Sequence, residues 1–286
     1  MDALSLKMLL AGASSLSGEE YIGTYGFYTP EDYTTFTWTV PANVVYIQAF
    51  CLGSGGLNDG YPNTFPGGDG GGGGCSIAVI PVTAGESLNL GIGTSDPSNN
   101  AASSQSFGGS GGGFSGIFRG STPLIIAGGG GGGQVNDTNY GGAGGGLQAQ
   151  SSSDGYPGGG QSPGNFGSEY LSSGVGGGGG YYGGAGNSGS ASSGGSGYIG
   201  SSGILHAQTA TGNGRLIPSL ASNNTDYLNA PSNPPSGLAF GYGGIGNNSG
   251  AYSHGSGLIV IHTLGTGYNP ASPPEIPNPR NILATY

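Results

Sequence analysis

Residues 124–146 read LIIAGGGGGGQVNDTNYGGAGGG: an apolar run, six consecutive glycines, a polar segment and a second glycine run. Six residues in a row without a Cβ leave the chain few ordered options. Glycine is the worst ordinary residue for a helix interior and packs nothing in a strand. Collagen needs Gly at every third position, and these runs are continuous. A Gly/Ser linker supplies flexibility but gives no reason for the apolar strands between the runs. The remaining form is a polyproline-II-type helix made of glycine, with three residues per turn, a rise of about 3.1 Å and no internal hydrogen bonds. Its N–H and C=O groups point outward. Neighbouring helices without side chains can close up until those groups bond one another. Six glycines would span about 19 Å on that rise.

Ordering a residue costs about 1–2 kcal/mol of backbone entropy, and more for glycine. A backbone hydrogen bond returns a net of about 0.5–1.5 kcal/mol. A lone tract cannot hold itself, but many tracts anchored on an apolar core can hold one another. The structural glycines are Gly70, Gly71, Gly72, Gly73 and Gly74, then Gly128, Gly129, Gly130, Gly131, Gly132 and Gly133, then Gly176, Gly177, Gly178, Gly179 and Gly180. Further runs lie at 108–113, 141–146, 183–186 and 194–197. The result is an irregular alternation of tract and polar loop rather than a fixed-period repeat.

The anchoring core is legible between the tracts. In YTTFTWTV, Phe36, Trp38 and Val40 alternate with threonines, the two-residue period of a half-buried strand. Pro41 turns the chain, and Val44–Leu52 is a nearly continuous apolar run that predicts a central strand covered on both faces. Strands are also predicted at 75–82, 86–93, 114–118, 123–127 and, closing the domain, 255–264. No segment after residue 13 carries a helical period. Although 69 of 286 residues are Gly, which points toward low complexity, charge is too low to keep the chain expanded and the apolar runs are regular.

Net charge is −10, and the cations are Lys7, Arg119, Arg215 and Arg280. Four scattered cations cannot neutralise a phosphate backbone, so nucleic acid is excluded as a partner, and an anionic membrane surface with it. No apolar run approaches the roughly 20 residues of a spanning helix. Cys51 and Cys75 read as small buried side chains, although pairing across adjacent strands stays open. They are too few for a zinc site, and His206, His254 and His262 stand in no metal spacing. Glu19-Glu20 and Glu31-Asp32 lie in polar stretches and read as solvated. In a chain so rich in glycine, a GxGxxG match carries no information about nucleotides. The reading assigns no catalytic residue, no metal and no cofactor.

VPA at 40–42, TAGE at 83–86, IIA at 125–127 before the long tract, and the closing GSGLIVIHTL together resemble the glycine-rich domain of phage tail fibre and adhesin proteins, such as the long tail fibre tip adhesins of T-even-type phages. The resemblance covers roughly residues 33–264. It implies a mostly β fold, with a small antiparallel β-sandwich or jelly-roll-like base carrying a bundle of polyglycine helices and long loops. It also implies a virion structural protein, non-enzymatic, that recognises the host surface through loops at the end of the bundle. The loops at 57–66, 151–171 and 204–237 match those by position. Tyr61, Phe65, Tyr156, Phe166, Tyr170, Tyr181, Tyr182 and Tyr227 are their rigid amphipathic side chains, suited to a host glycan or an outer-membrane protein. Each of these aromatics can equally pack on its own loop. Residues 1–32 read as a docking segment in which Leu4, Leu6, Met8, Leu9 and Leu10 bury against another virion protein or the chain's own core. Residues 265–286 read as an extended, Pro-rich tail reaching a neighbouring subunit, another virion protein or a second copy. A capsid or tail decoration protein without receptor specificity, and a tailspike-like polysaccharide depolymerase, are the alternatives.

Overall fold

Two-residue alternation builds the base of the molecule. The structure is a computed structural model, and it describes residues 9–11, 21–27, 34–58, 68–94, 109–134, 139–160, 175–186, 190–200, 203–224, 240–245 and 255–273. Among these residues, eleven strands make two antiparallel sheets: β1 (Leu9–Ala11), β2 (Tyr21–Phe27), β3 (Thr34–Thr39), β4 (Val44–Leu52), β5 (Cys75–Pro81), β6 (Ser87–Ile92), β7 (Ser115–Arg119), β8 (Thr122–Ala127), β9 (Tyr198–Ile199), β10 (Leu205–Ala210) and β11 (Leu258–Gly265). One sheet runs β1-β2-β11-β4-β5-β10 and the other β3-β6-β7-β8-β9. The one helix among the described residues, α1 (Ser219–Ser222), is a single turn. The expectation of a mostly β fold with two antiparallel sheets holds.

The sheets meet in a sandwich-like arrangement across one apolar layer. Ile47, Ala49, Cys51, Ala78, Ile80, Ile259 and Ile261 come from the first sheet. Trp38, Leu88, Leu90, Ile92, Ile117 and Ile125 come from the second. Burying each large aliphatic side chain contributes about 1.5–3 kcal/mol. The outer face of β4, β5 and β11 is covered as well: Phe50, Leu52, Leu258 and Val260 pack with Ile217, Ala221 and Phe240. β4 is therefore central and covered on both faces, as its composition predicts. Cys51 pairs in register with Ser76, and Cys75 with Leu52. That offset of one residue puts the two thiols on opposite faces of the sheet, where both are buried and not joined in a disulfide. Three of the strands, β1, β2 and β10, lie inside segments read otherwise from sequence. Leu9 and Leu10 belong to β1, which pairs with β2, and β2 pairs with β11. Leu205–Ala210, within the loop expected at 204–237, is a strand paired with β5 through a bulge.

Short turns close one end of the sandwich: Pro41–Asn43, Thr83–Glu86 and Gly120–Ser121. At the other end the chain leaves β4 and β8 directly into glycine, enters β5, β9 and β11 directly from it, and enters β7 from it through one residue, Phe114. All the tracts thus rise from the same end. There they bond one another, backbone to backbone.

The tract Gly128–Gly133 is the centre of this lattice, and its bonds repeat every third residue. The N–H groups of Gly129 and Gly132 donate to Gly179 and Gly176, those of Gly130 and Gly133 to Ser54 and Leu57, and that of Gly131 to Gly142. The carbonyls follow the same period. Gly128 and Gly131 accept from Gly74 and Gly71, Gly129 and Gly132 from Gly195 and Ser192, and Gly130 and Gly133 from Gly112 and Gly109. The partners belong to six separate segments, 53–57, 68–74, 109–113, 141–144, 176–180 and 192–197, which surround the tract. Three of them take its amides and three serve its carbonyls. No group in the middle of the tract is left without a bond, which answers the cost of burying bare backbone.

A Cβ built on any residue from Gly128 to Gly133 would come within 3.0 Å of a neighbouring segment's backbone. The obstructing atoms also recur by threes: segment 192–197 faces Gly128 and Gly131, segment 109–113 faces Gly129 and Gly132, and segment 68–74 faces Gly130 and Gly133. Side chains enter the lattice where they can bond across it. Ser192 Oγ donates to the carbonyl of Val175 at 2.6 Å, Ser193 Oγ to Pro157 at 2.7 Å and Ser196 Oγ to Gly160 at 3.1 Å.

Candidate functional site

The lattice end farthest from the sheets is where the tracts stop and polar side chains begin. Gly68 donates to Gln134, Gly109 to Gly133 and Gly141 to Asp69, so residues 68, 109, 134 and 141 gather there. One turn, residues 152–156, folds against this end. Ser152 N–H donates to the Tyr156 carbonyl, and Ser152 Oγ accepts the Tyr156 N–H at 3.2 Å. This hydroxyl-to-amide turn explains why Ser-Ser-Asp-Gly folds locally, and Gly155, at φ 84, sits where only glycine is unstrained.

The turn is fastened by two residues. Ser153 Oγ accepts the Tyr140 N–H at 3.0 Å and donates to the Tyr140 carbonyl at 3.2 Å. The Asp154 carboxylate accepts from Asn139 Nδ2 at 2.6 Å on one oxygen and from the Ala191 N–H at 2.8 Å on the other. Asn139 Nδ2 also donates to Gln134 Oε1 at 3.1 Å. Asp154 thus joins three separate stretches of chain at the lattice end. Tyr140 is 44% exposed, and Ser153 and Asp154 are exposed beside it. Tyr156, half-buried, follows two residues after Asp154. Asn139 and Ser153 thus hold Tyr140, whose ring is exposed, and Asp154, whose carboxylate has spare lone pairs, on adjoining stretches of chain, an arrangement suited to binding.

The other expected aromatics are distributed differently. Tyr181 and Tyr182 lie at the sheet end of the lattice, through the bonds Tyr181 N–H to Ser196 and Ser196 N–H to Tyr182. The Tyr181 ring stacks on Tyr198 of β9, with centroids 4.2 Å apart and planes 20° apart. Tyr182 meets Tyr181 edge-on at 4.8 Å. These rings are spent largely on each other. Tyr61, Phe65, Phe166, Tyr170 and Tyr227 lie outside the described residues, as do Leu4, Leu6 and Met8. Gly70–Gly74, Gly128–Gly133 and Gly176–Gly180 are all in the lattice. Tyr140 and Asp154 were not singled out from sequence. The signal available was the Ser-Ser-Asp-Gly turn composition, but nothing local ties it to Asn139.

No cluster of metal-ligating side chains occurs among the described residues, and no helix there is long and apolar enough to cross a membrane. Burial pushes the Cys51 thiol far above its ordinary range, which leaves it inert. At the turn end of the sandwich, burial alone would raise the Glu86 carboxyl. The bond from Arg119, the Thr83 N–H at 3.0 Å and the Arg119 charge outweigh it and hold the group below its usual range.

A two-sheet β base from which glycine segments rise, bonded to one another chiefly through backbone groups, marks a glycine-scaffold protein rather than an ordinary β-sandwich. The glycine-rich domain family matches residues 30–263, and the chain belongs to it. A comparison with curated proteins returns no match.

Proposed function

We propose that the tracts are polyglycine helices of the polyproline-II type and that the chain is a virion protein, a phage tail-fibre or tail-tip adhesin that holds host-recognising loops on a rigid glycine bundle. The observation that carries the reading is the three-residue period of the bonds around Gly128–Gly133, with six surrounding segments. Three residues per turn is the symmetry of that helix, and six neighbours is its hexagonal packing. Residues 68, 71 and 74 donate in turn to 134, 131 and 128, which is how two such helices run antiparallel. The resemblance in TAGE, IIA and the closing strand supports the assignment to a tail fibre.

On this reading no chemical step belongs to the chain. The base seats on the particle, the bundle gives stiffness and reach, and segments at its far end touch the host. Such a bundle is rigid because each segment is crosslinked sideways, so few internal motions survive to be lost on binding, which favours affinity. The test is an exchange of residues 161–174, whose roots are Gly160 and Val175, for the equivalent segment of another family member. A particle carrying the exchange should adsorb to a different set of host strains. Unaltered adsorption would overturn the adhesin reading and favour a decoration protein. Release of sugar from host envelope by the purified chain would favour a depolymerase.

A further inference from the structure

The surface around Tyr140 and Asp154 has a chemistry of its own. Tyr140 is held at its amide and its carbonyl by one side chain, Ser153, so its 44% exposed ring projects from a fixed backbone. The Asp154 carboxylate uses one bond on each oxygen, to Asn139 and to Ala191. A carboxylate can accept about four hydrogen bonds. Its orientation is fixed by the lattice, yet it is solvent-exposed and has capacity left. The stretches that carry the exposed ring and the pre-oriented acceptor are bonded to one another, 139–140 to 153–154, and an apolar ring with a planar acceptor on adjoining chain matches a sugar: the ring takes the C–H face of a pyranose, and the carboxylate takes two adjacent hydroxyls.

The charge selects among sugars. The chain carries −10 overall, and Asp69 and Asp154 stand at this end of the lattice. A sialylated or phosphorylated glycan would bring like charge to Asp154 with no cation among the bonds described there. We propose that Tyr140 and Asp154, with Tyr156 alongside, form a binding site for a neutral glycan bearing vicinal hydroxyls. The proposal rests on the adhesin reading for its biological sense, and on the geometry alone for its chemistry.

Saturation-transfer NMR and titration on the full chain decide it, with methyl glucoside, methyl galactoside and lactose as neutral probes and sialyllactose as the anionic one. At least one neutral probe should bind the parent chain and Tyr140→Phe, with sialyllactose weaker. Tyr140→Ala and Asp154→Ala should each lose binding tenfold or more. Tyr140 is exposed, so Tyr140→Ala should keep the parent amide spectrum even if Asp154→Ala loosens the turn. Absence of binding by every neutral probe, preference for sialyllactose, or undiminished binding by Tyr140→Ala would overturn the proposal. Particle adsorption measured in parallel separates the two readings. Adsorption without glycoside binding removes this site and leaves the adhesin, with a protein receptor in the sugar's place. Glycoside binding without adsorption does the reverse.

Discussion

The sandwich and the lattice solve one problem, keeping water out of a folded interior, with opposite materials. Between the sheets, Ile47, Leu88, Ile117 and Ile259 fill space with side chains, and backbone bonds lie at the margins of that layer. Gly128–Gly133 itself has no side chains to fill space, and its backbone bonds radiate in every direction. A side-chain core tolerates change because neighbours can repack, so lost methylenes cost a graded amount. The lattice has no such reserve. Its spacing is set by the reach of an N–H···O bond, which does not stretch to admit a methyl group.

The largest effect should therefore come from the smallest addition. Gly131→Val puts its Cβ against the carbonyl of Ser192, and Gly129→Val puts one against Gly112. Neither obstacle is a side chain that can rotate away. Each substitution should cost more than about 4 kcal/mol, the range reserved for backbone-scale disruption, or abolish soluble expression. Even Gly131→Ala should exceed about 2 kcal/mol, as overpacking does in a rigid core. Thermal and denaturant melts check this. A Gly131→Val chain that melts with the parent would end the comparison, because the lattice would then be slack.

The sandwich comes next. Ile261→Ala, at a fully buried position between the sheets, should cost about 2–5 kcal/mol. The loss should be recovered in part by a compensating larger neighbour, a rescue the lattice cannot offer. A third, smaller effect separates two uses of glycine. Gly120 has φ 62 and nothing within 4 Å of its would-be Cβ, so it is glycine for its dihedral and not for space. Gly120→Ala should cost only about 1–2 kcal/mol, the penalty of a left-handed residue. Equal losses for Gly120→Ala and Gly131→Ala would erase the distinction.

How much of this was readable beforehand follows the same division. β3–β8 and β11 were legible because apolar side chains, alternating in β3 and continuous in β4, write a strand into sequence. β10 was not: LHAQTA has no apolar period, and its residues are half-buried along an edge. β9 is two residues long and owes its existence to a partner, β8, that lies far away in sequence. The tracts announced that they would pack against one another, but not which against which. A run of identical residues carries no register, so the pairing of Gly131 with Gly142, or of Gly132 with Gly176, had no trace in the letters. The site was hidden for a related reason. Tyr156 was legible as an aromatic in a polar loop. Tyr140 and Asp154 became a site only because the lattice brings residues 139–140 against 153–154.

The smallest effect lies at the opposite end of the sandwich and tests whether charge contributes to either material. Arg119 bridges Glu86 and also donates to the Pro81 carbonyl at 2.9 Å, tying the β5–β6 turn to β7. Glu86 has a folded-state pKa below its unfolded value. Its contribution is then fully present above the unfolded carboxylate range and disappears as pH falls through the folded value, since protonation removes the charge that Arg119 and Thr83 favour. The parent should lose slightly more stability than Glu86→Gln as pH drops from neutral to below the carboxylate range, and the two melting curves should converge at the acid end. With 46% of the Arg119 side chain exposed, solvent screens the pair and the difference stays near the limit of detection. The lattice holds few charges, and exchange of its central amides should not follow pH beyond the chemistry of exchange itself. A lattice that loosened in step with Glu86 would show that the two regions unfold as one unit, with the sheets setting the stability of the glycine segments they carry.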